Sequence, residues 1–158
     1  NVFMIQRIQT IYLIIIVILS SALFSGTFIY FSGPDNQVIM VKLTGIAELT
    51  HGIDFNAEIL LKILIVLLII VIVFSLTAIF LFKRRKLQFN FTAAVAILSL
   101  VISGIEVYII YRILKSGVIN LIPGFKMFIP PVLILLACLA LKGIRHDEKL
   151  VKSYERLR

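Results

Sequence analysis

Residues 59–82 read ILLKILIVLLIIVIVFSLTAIFLF, and residues 83–86, which follow at once, read KRRK. Lys62 is the only charge in the first of these stretches. A helix that crosses the hydrocarbon of a bilayer needs about 20 mostly apolar residues, each rising about 1.5 Å. The stretch is apolar on every side, whereas a soluble surface helix is apolar on one face only. The four cations Lys83, Arg84, Arg85 and Lys86 cannot enter hydrocarbon, and cations beside a span favour the cytoplasmic side. This stretch therefore sets the class of the molecule and its expected orientation.

The rest of the composition agrees. The chain has 158 residues, of which 61% are hydrophobic, against about 45–50% for a soluble domain. The excess is expected to face lipid. The net charge of +8 would suggest nucleic-acid binding in a soluble protein. Here most cations flank apolar stretches, where they orient spans and attract anionic lipid, so no nucleic-acid partner is expected. The single Cys138 lies in an apolar run and can form neither an internal disulfide nor a multi-ligand metal site.

Three more spans are expected beside 59–82, at about 8–31, 91–114 and 128–144. The first competes with a secretory signal peptide, because Arg7, an apolar core and the small residues Ser20, Ser21 and Ala22 follow one another. The apolar run continues through Leu23, Phe24 and Phe28 to Phe31, which favours a retained helix. Pro130 and Pro131 place the start of the fourth helix near Pro131, with 119–128 as a re-entrant or interfacial approach. Residues 32–57 form an outer loop, expected to fold into a small cap, with 37–44 rich enough in β-branched residues for a short strand. The expected fold class is all-α: a single membrane domain over 1–158, with four transmembrane helices, the outer loop cap and a cytoplasmic amphipathic helix at 145–158.

Orientation follows from the cations. Arg7, Lys83, Arg84, Arg85, Lys86, Lys142, Arg145, Lys149, Lys152, Arg156 and Arg158 fall on one side, eleven of the 16. Lys42, Lys62, Arg112, Lys115 and Lys126 fall on the other. Both termini are expected in the cytoplasm.

Residues 4–13 (MIQRIQTIYL), 82–88 (FKRRKLQ) and 140–158 (ALKGIRHDEKLVKSYERLR) together resemble small four-helix integral membrane proteins of Bacteroidota, described only as a domain of unknown function. The resemblance covers nearly the whole chain and implies four helices in a bacterial inner membrane. It implies no activity. The family's usual start matches Met4, so Asn1, Val2 and Phe3 depart from it.

Candidate chemistry is sparse. Glu106 is the only carboxylate within an expected span, and an intramembrane ionisable group is a functional candidate by default. Ser99, Ser103 and Glu106 follow i, i+4, i+7 and share a helix face. A proton or cation relay would use that face. A structural carboxylate paired with Lys62 or Arg112 is the plainer reading, since relays need several polar groups at depth. His51 and His146 sit in polar segments on opposite sides, and no metal spacing, nucleophile–base set or phosphate loop occurs. No enzyme activity, metal, cofactor or small-molecule substrate is therefore expected. In the tail, Leu150, Tyr154 and Leu157 follow i, i+4, i+7 with Val151 adjacent, giving an apolar face on a basic helix. Asp147 and Glu148 near its start and Arg156 and Arg158 at its end suit the dipole of a separate helix. That face can rest on the inner leaflet or dock on a partner.

These readings converge on a non-catalytic inner-membrane protein, an accessory or assembly subunit of a larger membrane protein complex. The alternative is a small transporter or proton- or ion-conducting protein using Glu106.

Overall fold

In the computed structural model, residues 2–32, 38–43, 45–47, 57–82, 84–115 and 120–156 are described. Four helices carry most of them: α1 (Val2–Ala22), α2 (Ala57–Phe80), α3 (Arg85–Lys115) and α4 (Ile129–Arg156). The stretch 59–82 is α2 almost to the residue. Among the described residues, three stretches are long and apolar enough to cross a membrane, Ile59–Phe80, Arg85–Lys115 and Phe125–Asp147. Ile8–Ala22 is a shorter apolar helix.

One spacing rule organises the packing. The buried positions of α3 are Gln88, Thr92, Val95, Ser99, Ile102, Glu106, Ile109 and Ile113, alternating four and three apart. On α2 they are Leu61, Leu64, Leu68, Val71, Ser75 and Ala78. On α1, Gln9, Leu13, Ile16 and Ser20 repeat the pattern, and on α4 so do Ala137, Ala140, Ile144 and Asp147. A mean step of 3.5 residues is the seam of helices that cross at about 20° and wind left-handedly around each other. Each helix packs on its two neighbours in the order α1–α2–α3–α4–α1, closing a four-helix bundle. The outward faces are apolar as well: Ile63, Val66, Ile69 and Val73 on α2 and Ile97, Leu100 and Val107 on α3 are all exposed. Patches of that extent suit lipid rather than water.

The connections at one end of the bundle form a sheet, which departs from the all-α expectation. Strands β1 (Thr27–Ser32), β2 (Val38–Lys42), β3 (Gly45–Ala47) and β4 (Asn120–Ile122) make an antiparallel sheet in the order β3-β2-β1-β4. Span one therefore does not run as helix to Phe31. Its last turn tightens, with the amides of Leu23, Phe24 and Ser25 donating to the carbonyls of Ser20, Ser21 and Ala22. Gly26 then takes φ +68°, a conformation that costs an L-residue with a side chain about 1–2 kcal/mol. The aromatic and β-branched run TFIYF follows as strand rather than helix because it pairs on both edges. A register shift between Thr27 and Ile29 lets Phe28 and Ile29 both point into the core. β2 falls within the expected strand at 37–44.

The remaining differences are at helix ends. α3 begins at Arg85, six residues before the expected 91, so Arg85 and Lys86 open its first turn. Of the approach expected at 119–128, the described residues hold β4 and a single 3-10 turn, Phe125–Phe128. α4 starts at Ile129 with Pro130 and Pro131 in its first turn, where no intrahelical acceptor is needed. It then runs without a break to Arg156, so 145–158 is not a separate helix and Asp147 lies at no helix start. The dipole expected for the tail has no helix terminus to act on there.

Candidate functional site

Two polar groupings interrupt the apolar seams. The first lies at the end of the bundle opposite the sheet. Gln9 of α1, Gln88 of α3 and Asp147 of α4 are each buried on their inward stripes. Gln9 Nε2 donates to Asp147 Oδ2. Arg85 Nη1 donates to the backbone oxygen of Asp147 at 2.9 Å. Asp147 Oδ1 is buried without a hydrogen-bond partner. A cavity of about 10 Å³ lies among Gln9, Phe82, Arg85, Gln88, Ile144 and Asp147, about the smallest space that holds one water.

The close approach of α1 and α4 at this level depends on Gly143. A Cβ there would fall 2.8 Å from Gln9 Cγ, and small residues are what allow membrane helices to come this close. Two residues beyond Gly143, Arg145 lies over the ring of Phe89 of α3, 4.9 Å from its centroid. The three stretches quoted above, at 4–13, 82–88 and 140–158, thus meet here: α1 brings Gln9, the start of α3 brings Arg85 and Gln88, and α4 brings Gly143 and Asp147.

The second grouping is the stripe of α3. Ser99 and Glu106 are buried on it, and Ser103 is half-buried beside it. Ser99 Oγ donates to the carbonyl of Val95 at 2.8 Å. Glu106 Oε1 and Ser103 Oγ are buried without a hydrogen-bond partner. Neither Lys62 nor Arg112 donates to Glu106 Oε1. Lys62 is exposed on α2, and Arg112 is half-buried on α3, about 9 Å further along the helix axis.

Of the four cations in the loop, Arg85 is drawn into the polar grouping, Arg84 and Lys86 are exposed, and Lys83 lies outside the described residues. Leu150, Val151 and Tyr154 are on α4, but their side chains lie outside the described residues, as do Leu157 and His51 altogether. By helix register, Val151 and Tyr154 continue the spacing of Ile144 and Asp147. Among the described residues no group of three or more His, Cys, Asp or Glu side chains could hold a metal ion. Gln9 and Gln88 were not singled out by sequence reasoning, and Asp147 only as an acid near the start of a separate tail helix. The signal that could have found them is their place at seam positions on otherwise apolar stripes.

The sequence matches the family described as a domain of unknown function, DUF4293, over residues 5–157. The chain belongs to this family. The match includes both polar groupings, the sheet, α2, α3, α4 and all of α1 but its first three residues. Comparison with curated proteins finds no match.

Proposed function

We propose that this DUF4293 chain is a non-catalytic protein of the bacterial inner membrane, in a Bacteroidota cell, and acts as an accessory or assembly subunit of a larger membrane complex. All four helices cross the bilayer. The polar end, with both termini, lies in the cytoplasm, and the sheet lies on the opposite side. In the sequence, eleven cations flank the side assigned to the cytoplasm and five the other.

The observation that carries this reading is the length of α4. It continues to Arg156, nine residues or roughly 13 Å past Asp147, the last position held to the other helices by Gln9 and Arg85. Most helical stability in proteins comes from packing an apolar face rather than from propensity, so this cytoplasmic extension gains from a surface to lie on. A partner subunit supplies it, against the face of Leu150, Val151, Tyr154 and Leu157. The test is a deletion made after Asp147. A cut after Gly143 would also remove the carboxylate that holds Gln9. Native mass measurement in mild detergent should give a complex for the full chain and the bundle alone for the deletion. Unchanged mass on deletion would sink the docking reading.

A second reading is favoured by the partnerless oxygens of Glu106 and Ser103 on one helix face. In it, the chain conducts protons or cations through the α3 stripe. Proton flux in liposomes containing only this protein, lost in Glu106→Gln, would select it over the subunit reading.

A further inference from the structure

We infer that the outward face of α4 at the polar end is a binding site for one anionic phospholipid. Cys138, Leu141, Lys142, Arg145 and His146 line a groove of about 450 Å³. They follow one another at i, i+3, i+4, i+7 and i+8, so they form a single face of the helix. The face is graded along its length. Cys138 and Leu141 make an apolar floor, continued towards the sheet end by the exposed Leu135. The exposed Lys142, Arg145 and His146 stand at the other end, about 6–12 Å further along the axis. An amphiphile with an anion at one end and acyl chain at the other matches this order.

Arg145 is the residue that makes a site out of a basic surface. Its guanidinium rests over the Phe89 ring of α3, which restrains a side chain that would otherwise lose rotamer freedom on binding. Its planar donors suit a phosphate oxygen pair, and Lys142, one turn back, adds a point charge to the same anion. The apolar half of the groove excludes free phosphate as the natural occupant and favours a lipid already dissolved beside the helix. The inference rests on the membrane reading and not on the choice between subunit and conductor.

The experiment uses the full chain in mild detergent doped with either phosphatidylglycerol or phosphatidylcholine. Native mass spectrometry counts retained lipids, and the alkylation rate of Cys138, the only cysteine, reports occupancy of the groove independently. Retention of one phosphatidylglycerol, with slowed alkylation, is expected, and little of either with phosphatidylcholine. The Lys142→Gln/Arg145→Gln variant should lose the preference, by about five-fold for each cation removed. Arg84→Gln/Lys86→Gln, exposed cations at the same end that do not line the groove, should keep it. Equal loss in both pairs would reduce the effect to diffuse surface charge and overturn the site. So would displacement by millimolar inorganic phosphate, or equal retention of the two lipids. If the double variant fails to fold, Cys138→Trp, which fills the apolar floor and leaves the cations, should abolish retention; unchanged retention would refute the inference. Resistance to alkaline extraction from membranes reports the membrane reading separately, so its failure is distinguishable from failure of the groove.

Discussion

At the scale of single residues, the polar atoms in the seams differ in what holds them. Asp147 is tied from two sides, by Gln9 to its carboxylate and by Arg85 to its backbone oxygen. Removing the carboxylate leaves the Gln9 amide buried without an acceptor. A hydrogen bond to a charged group contributes about 1.5–3 kcal/mol, so Asp147→Ala is expected to lower unfolding stability by that amount in detergent. Replacing both partners, Gln9→Leu with Asp147→Leu, should recover much of the loss because no polar group is then stranded. A double variant worse than either single one would show that the pair does more than satisfy itself. Glu106 presents the opposite case. Its buried Oε1 has no donor, and an unsatisfied buried polar group costs about 1–3 kcal/mol. Glu106→Leu is expected to raise thermal stability. A clear fall would reveal a partner that the bundle alone does not supply.

At the scale of elements, the ends of helices were harder to read than their middles, and the reason is physical. Hydropathy sees burial, not backbone conformation. Residues 27–31 are as apolar as the helix before them, so a hydropathy reading continues α1 to Phe31. The break is carried by one residue, Gly26, in a left-handed conformation that a hydropathy sum does not register. Gly26→Ala is therefore expected to cost about 1–2 kcal/mol, read as a lowered unfolding midpoint, while Gly26→Asn, which tolerates that conformation better, should cost less. Equal costs would mean that something other than φ governs the position. The inward stripes were illegible for a related reason. In a lipid-facing helix both faces are apolar, so one-sidedness vanishes, and only the three-and-four spacing of the rare polar residues reveals the seam. Gln9, Gln88 and Asp147 sit beside cationic segments and read singly as interfacial residues. Their convergence needs the register of three helices at once. The long apolar core of α2, by contrast, needs no tertiary information, because twenty residues without a polar face have one physical destination.

At the scale of the whole molecule, the bundle has two unlike ends, and which of them faces the cytoplasm fixes where each surface meets its partners. The proposal that the polar end lies inside rests on the positive-inside rule, by which loops rich in Lys and Arg are retained. Packing changes how this is tested. Gln88, at the loop by sequence, is buried on the α3 stripe, so a cysteine there would resist any reagent from either side. Lys86 is exposed at the same end, and Ile122 is exposed on β4 at the other. With Cys138 first replaced by Ala, single cysteines at these two positions give a clean pair. A membrane-impermeant maleimide applied to intact spheroplasts should label Ile122→Cys and leave Lys86→Cys untouched until the membrane is opened. The opposite pattern would invert the molecule, placing the α4 extension and the proposed lipid groove at the outer face and removing both from cytoplasmic partners. Labelling of both positions in every condition would mean that the helices do not cross at all. Lys86 lies in the first turn of α3 and Ile122 on β4 beyond its last, and α3 is a helix of 31 residues or roughly 46 Å. That exceeds the hydrocarbon thickness of about 30 Å, so one side of the membrane cannot expose both while α3 spans it.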